Sequence, residues 1–234
     1  GSIRSLYELS VFVTVSIMYL VKTPKVVKHI FPTYYWDKPN DKRAIYLTFD
    51  DGPIPEVTPW VLDQLAAYDA KATFFCVGDN VRKYPQIFNR LKEEGHKTGN
   101  HTFNHLNGWN TPVNEYVENV DQCAELVDSD LFRPPYGKLL RKQSQHLSEN
   151  YSVVMWDILS GDFDPTITKE NCLKNVVNHA VPGSIIVFHD NIKSYDKLQY
   201  VLPRVLEYFA QKNYTFSALE FAKSKKAAPA LMPA

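Results

Sequence analysis

Short apolar runs alternate with amphipathic stretches along most of the chain. Ala44 to Phe49 is almost unbroken in its apolar character, as expected of a strand buried on both faces. Val57 to Tyr68 has helical spacing at Val61, Leu62 and Leu65, and Thr58-Pro59 suits its start. Ala72 to Val77 reads as a second strand that Gly78 ends, and Pro85 to Glu94 as a helix that Gly95 terminates. A short strand over His96 to Asn100 and a helix over Val113 to Val127 follow. The pattern then predicts a brief strand at Leu131-Phe132, a helix over Leu139 to Asn150 and a strand over Tyr151 to Trp156. Thr168 caps a helix running to Ala180. Pro182-Gly183 turns into the strand Ser184 to Phe188, and a last helix, Leu198 to Lys212, precedes the strand Tyr214 to Phe216.

Repeated strand-helix alternation predicts a parallel α/β architecture, barrel or open sheet. Asp50-Asp51, His101, Arg133, Trp156-Asp157 and His189 all fall at or just past the C-terminal ends of the predicted strands. In a barrel those ends converge on one mouth, whereas an open sheet scatters them along an edge. A barrel with fewer or less regular strands than eight is therefore expected, rather than an open sheet. Residues 1–42 read as a lead-in segment, 43–220 as the domain, and 221–234, ending AAPALMPA, as a poorly ordered tail.

Composition narrows the function classes. An apolar share of 44% supports a sizeable core. Acidic and basic residues balance at 26 each without a basic block, which argues against a nucleic-acid partner. No protein partner is evident. Cys76, Cys123 and Cys172 form no CxxC pair, so neither a thiolate zinc site nor a disulfide framework is expected, and Cys76 reads as a core residue. Gly1-Ser2 looks like the remnant of a cleaved tag. Leu9 to Val21 is apolar but shorter than the roughly 20 residues that cross a bilayer. A trimmed signal anchor, a helix packed on the domain, and a natural start at Met18 all stay open. Localisation stays open too, between the cell envelope and the cytoplasm.

The strand at Ala44 stops at Asp50-Asp51-Gly52-Pro53, two adjacent carboxylates and a turn. Neighbours along a strand point to opposite faces, but at a curling strand end both acids can serve one cavity. That suits one carboxylate on a metal and another handling a proton. His101 and His105 stand four apart, a spacing that puts both rings on one side of a helical turn, though a solvated turn fits the same pattern. Two imidazoles and one carboxylate, from Asp50 or Asp51, make a three-ligand site with room for water, as a catalytic zinc requires. In Phe132-Arg133-Pro134-Pro135-Tyr136-Gly137, two prolines stiffen a loop that carries an arginine and leaves the Tyr136 amide able to face a developing oxyanion, though an arginine pairing with a surface acid fits the same pattern. Ile185 to Phe188 ends on His189, a candidate general acid because its ordinary pKa lies near neutrality.

TFDDGP, HTFNH, RPPYG and FHD, in this order and spacing, resemble the polysaccharide deacetylases of the NodB-homology type, carbohydrate esterase family 4. The resemblance covers roughly Arg43 to Leu219. It implies a distorted (β/α) barrel and a divalent metal, usually zinc, with cobalt or nickel as substitutes. It further implies that Asp51, His101 and His105 are the metal ligands and Asp50 the base. Arg133 orients that base, the Tyr136 amide helps hold the oxyanion, and His189 is the acid. Pro135, Trp156, Phe163 and Val187 belong to the substrate pocket, with Val187 against the acetyl methyl.

One motif departs from the family's pattern. Where a D-x-x-D-W-like run is usual, Trp156-Asp157-Ile158-Leu159-Ser160-Gly161-Asp162-Phe163 places Leu159 at the first acid and Phe163 at the tryptophan. Asp157 and Asp162 both remain candidates for tuning His189. The resemblance implies removal of acetyl groups from N-acetylated sugars of a glycan, peptidoglycan or chitin-like. The alternatives are an O-acetyl esterase and a metal-containing glycan-binding protein without activity.

Overall fold

The computed structural model describes residues 20–40 and 42–221; the apolar segment before Leu20 and the tail after Phe221 lie outside the described residues. Seven parallel strands form one curled sheet. They are β1 (Ala44–Asp50), β2 (Thr73–Cys76), β3 (Lys97–Asn100), β4 (Leu131–Phe132), β5 (Ser152–Val153), β6 (Ile158–Leu159) and β7 (Ile185–His189). Their order is β5-β4-β3-β2-β1-β7-β6, and β8 (Thr215–Phe216) adds to the start of β1. The order places β1 inside the sheet, between β2 and β7, so Asp50 lies level with Phe75 on one side and His189 on the other. This is the parallel α/β architecture expected from the alternation, in the form of the distorted barrel that the family resemblance implies.

Alternation along β1 sorts the interior. Ile45, Leu47 and Phe49 pack outward against α2 (Thr58–Ala66), α7 (Lys169–Val177) and α8 (Ile192–Gln211), with Phe74, Ile186, Phe188 and Val205 in the same cluster. Ala44 and Tyr46 face inward with Phe75, Leu131, Val154 and Ile185. By the same period, Thr48 and Asp50 continue the inward face toward the mouth.

The remaining α-helices among the described residues are α1 (Lys25–Ile30), α3 (Gly78–Lys83), α4 (Pro85–Glu93), α5 (Val113–Ala124) and α6 (Arg141–Leu147). Gly78, read as the end of β2, instead opens α3, because its amide and that of Asp79 bond the Thr102 and Phe103 carbonyls. The strand expected over Tyr151 to Trp156 is cut to β5 because the Val154 and Met155 carbonyls accept from the Arg133 guanidinium. The helix expected from Leu198 begins six residues earlier, at Ile192, where the Asn191 side chain accepts from the Ser194 amide.

Residues 20–40 run across the gap between the two edges of the sheet. Val21 and Thr23 bond β6 and its lead-in, while Tyr35 bonds Val153 at the end of β5 and Met155 just beyond it. Both edges are thereby paired, which removes free backbone groups from the rim. The six-residue helix Lys25–Ile30 lies in this strap. Cys76, Cys123 and Cys172 are buried free thiols.

Candidate active site

The mouth of the barrel is built on the end of β1. Asp50 is the last residue of the strand and points inward; Asp51 turns the chain in the left-handed region, with φ 87°. The two acids therefore diverge and take separate partners. The turn is anchored from β7: Asp190 accepts from the Gly52 amide at 3.0 Å and from the Thr58 hydroxyl at 2.6 Å. A Cβ at Gly52 would come within 1.9 Å of Asp190 Oδ2, so only glycine lets the turn approach this carboxylate. Burial pushes the Asp190 carboxyl up to about 8.

Asp50 is tied to Arg133. The guanidinium, fully buried, donates from Nη1 to Asp50 Oδ1 and to Thr48 Oγ1, both at 2.7 Å. Its other nitrogens bond the Val154 and Met155 carbonyls, and it stacks over Phe75 at 4.1 Å from the ring centroid. Burial lowers the Arg133 pKa, and Asp50 opposes that shift. A buried arginine with its donors spent in this way is a fixed clamp on one carboxylate oxygen.

Asp51, His101 and His105 bring one candidate ligand atom each to within 4.8 Å of one another. Asp51 Oδ1 lies 3.0 Å from His105 Nε2 and 3.6 Å from His101 Nε2. Asp51 Oδ1 is nevertheless buried without a hydrogen bond. An orphaned carboxylate oxygen facing two imidazole nitrogens fits a divalent cation. Burial acts to raise the Asp51 pKa, but the two imidazoles hold it well below the usual carboxylate range. His101 Nδ1 lies 2.7 Å from the Arg133 carbonyl, which can only accept; the ring's proton is therefore on Nδ1 and the Nε2 lone pair is free for a metal.

The helical turn expected for His101 to His105 is not what forms. The segment is a loop in which Thr102 (φ 62°) and His105 (φ 57°) are left-handed. The α3 amides hold it from one side, and Asn119 Oδ1 accepts from Phe103 and Asn104 on the other. Those bonds supply what an isolated residue pair at this spacing lacks, and they aim both rings at Asp51 without a helix.

His189 closes the other flank. Its Nδ1 lies 2.8 Å from Asp162 Oδ1, and its amide donates to Asp162 Oδ2 at 2.7 Å. Burial acts to lower the His189 pKa, but Asp162, with Asp51 and Asp50 beyond it, raises it to about 10. Of the two acids considered for this contact, Asp157 is excluded by position. It instead accepts from Lys22, Lys28 and Ser184, and so fastens the strap to the sheet. Leu159, in place of the usual first acid, is buried beside Val187.

The remaining candidates are spread around the mouth. Val187 lies on the inward face of β7, one inward position before His189. Pro135 is buried and Tyr136 exposed, with the Tyr136 ring edge-on to His105 at 4.7 Å. Tyr136 is left-handed (φ 60°), and the Gly137 and Lys138 amides close its turn on Pro134 and Pro135. Trp156 is half-buried against Gly137, while Phe163 meets His189 edge-on at 5.2 Å.

Sequence reasoning missed Asn191 and Asn80. Asn191 Nδ2 donates to Asp51 Oδ2 at 2.6 Å, and Asn80 Nδ2 to the Asp51 carbonyl at 2.8 Å. The only local signal for Asn191 was its suitability as a helix cap directly after Phe188-His189-Asp190.

Comparison with known proteins agrees with this geometry. A family model described as polysaccharide deacetylase matches residues 37–153. A peptidoglycan-N-acetylglucosamine deacetylase of Bacillus cereus is 34% identical over 184 residues, which cover 74% of this chain and 66% of that protein. A second protein of the same description and organism is 34% identical over 201 residues, covering 81% of this chain and 93% of its own length. Among solved structures, one of a peptidoglycan N-acetylglucosamine deacetylase superposes with a TM-score of 0.77 at 30% identity. It covers 84% of this chain and 95% of that one.

Proposed function

The chain belongs to the polysaccharide deacetylase family, and from that membership and the site's geometry we propose a metal-dependent hydrolase that removes acetyl groups from the N-acetylated sugars of a glycan. The observation that carries this reading is the buried, unbonded Asp51 Oδ1 between two imidazoles, one residue from a carboxylate clamped by arginine.

In this reading Asp51, His101 and His105 hold the ion. Two nitrogens and one hard oxygen suit zinc. When bound, a divalent ion here supplies Lewis acidity toward the acetyl carbonyl and acidifies water. Asp50 is the base: Arg133 occupies its Oδ1, leaving Oδ2 to take the proton of the attacking water. The Tyr136 amide, on its left-handed turn, is the donor for the developing oxyanion. His189 is the acid. Asp162 occupies Nδ1 and leaves Nε2 to protonate the departing amine. Val187 and Pro135 shape the pocket for the acetyl methyl, while Trp156 and Phe163 flank the sugar. A peptidoglycan-like or chitin-like strand is the substrate class, and a glycan-bearing cell envelope is the corresponding site of action.

The test is acetate release from N-acetylglucosamine oligomers and peptidoglycan by metal-stripped protein, with and without zinc or cobalt, beside Asp50→Asn. Metal-dependent release that the variant loses is the expected result. Release from O-acetylated xylan alone would make the protein an esterase. Silence on every acetylated glycan would overturn the reading.

A further inference from the structure

Beside the metal site, two loops are joined into a ledge that carries two exposed aromatic rings, Trp109 and Tyr136. Gln143, buried in α6, donates to the Gly108 and Thr111 carbonyls and accepts from the Leu140 amide. Its amide therefore ties the loop around Trp109 to the loop that follows Tyr136. The backbones are in contact as well, since a Cβ at Gly108 would come within 2.4 Å of the Lys138 carbonyl.

On this ledge Lys138 Nζ lies 5.2 Å from the Trp109 ring centroid and 6.0 Å from that of Tyr136. Tyr136 in turn abuts the ligand His105. Trp109 and Tyr136 each keep 61% of their surface exposed. A loop held this firmly does not expose an indole through floppiness, and rigid exposed aromatics mark binding surfaces. Among the described residues no carboxylate pairs with Lys138. Neither of the two segments that form the ledge, 101–114 and 131–148, contains an Asp or Glu, whereas Arg141 and Lys142 follow in exposed positions. Those two cations stand in the first turn of α6, the end of a helix that favours negative charge. The ledge thus presents an apolar ring face beside uncompensated positive charge.

We propose that Trp109 and Lys138 form a subsite for a carboxylate-bearing sugar of the substrate strand. The indole stacks on the C–H face of the pyranose and the Lys138 ammonium pairs with the carboxylate. This rests on the reading of the protein as a glycan deacetylase and narrows its substrate from neutral chitin-like oligomers to acidic strands. The shared chemistry is the carboxylate; it is carried on a lactyl ether in peptidoglycan or on C6 of a uronic acid.

The test compares four N-acetylated tetrasaccharides on the metal-loaded enzyme: a neutral one, one with lactyl-ether carboxylates, the methyl ester of that one, and one with uronate residues. KM and kcat come from acetate release, and affinity from calorimetry on Asp50→Asn, which does not consume the ligand. The expected result is a lower KM for an acidic strand than for its ester. Lys138→Ala lowers that preference about three- to fivefold, as for an exposed ion pair, and Lys138→Arg restores it. Trp109→Ala weakens binding of acidic and neutral strands alike. Preference for the lactyl or the uronate form identifies the source of the carboxylate. Equal KM for acid, ester and neutral strands, or a preference that Lys138→Ala leaves intact, overturns the proposal. If no substrate releases acetate, the deacetylase reading fails, while the calorimetric preference still decides the subsite.

Discussion

Asn191 Nδ2 donates to Asp51 Oδ2 at 2.6 Å while Asn191 Oδ1 accepts from the Ser194 amide at 2.9 Å. The second bond fixes which way the amide points, so the first is specified by the cap of α8. Asp51 is left with one oxygen engaged and the other turned to His101 and His105. Outer partners of this kind typically contribute about 10–100-fold to metal affinity. Asn191→Ala should weaken zinc binding by that order in chelator competition, but it also removes the cap. Asn191→Ser keeps the cap and is too short to reach Asp51, so it should lose metal affinity with little change in stability. Unchanged affinity in both would make Asn191 a helix cap alone.

Metal binding should also be visible as stability. Asp51 Oδ1 is unbonded in the protein alone, and an ion that binds only the folded state adds free energy by mass action. At about one hundred times its Kd, zinc should add about 2.7 kcal/mol, and a chelator should remove it. Thermal unfolding with and without zinc measures this. Indifference of the transition to zinc would remove the metal site.

Arg133 and Asp50 are interdependent because both are buried. Arg133→Met strands the Asp50 carboxylate without its partner, a change that costs about 3–5 kcal/mol. Asp50→Asn keeps the shape and an acceptor for Arg133 but removes the basic oxygen. It should lower kcat by the order of 10²–10⁴. The two variants should therefore separate: Arg133→Met loses stability and activity, whereas Asp50→Asn loses mainly activity. Denaturant unfolding beside steady-state kinetics decides this.

Against the effect of burial, Asp162, with Asp51 and Asp50 beyond it, raises the His189 pKa to about 10. If His189 acts as an acid, its protonated form must persist through the working range. Asp162→Asn removes the charge that favours the imidazolium, so the alkaline limb of kcat/KM should move to lower pH. The acid limb, which reports a different group, should stay. An alkaline limb that does not move would mean that another residue donates the proton.

Much of this site was legible because its chemistry sits where hydrophobic runs stop. Ala44 to Phe49 delivers Asp50, and Ile185 to Phe188 delivers His189, so strand assignment alone located both. What spacing did not carry was backbone direction. His101 and His105 fit a helical turn in sequence, yet Thr102 and His105 are left-handed because α3 and Asn119, distant in sequence, hold the loop. Long-range pairing was equally hidden. Asp157 and Asp162 were indistinguishable as partners for His189 until Lys22 and Lys28, far upstream, claimed the first. Asn191 reads in sequence as a cap, and its bond to Asp51 spans most of the domain.

Away from the mouth, His96 should govern part of the protein's acid stability. It is 6% exposed beside a cleft of about 530 Å³ at the opposite end of β3 and β4, and its Nδ1 accepts from the Ala72 amide at 3.1 Å. That bond requires an unprotonated Nδ1. Burial, with Lys71 next and Arg90 last, lowers its pKa from 6.5 to about 4, and Glu94 opposes them weakly. In the unfolded chain the ring binds a proton near its ordinary value, so between pH 6.5 and about 4 the unfolded state holds more protons. Stability contributed by neutral His96 is therefore full above that window and lost as pH falls through it, by at most about 3 kcal/mol. His96→Asn keeps an acceptor near the Ala72 amide and cannot titrate. Urea unfolding at about pH 7 and about pH 4.5 should show a smaller acid loss in the variant than in the native chain. If both lose the same amount, other groups carry the acid sensitivity and His96 is only a packed ring.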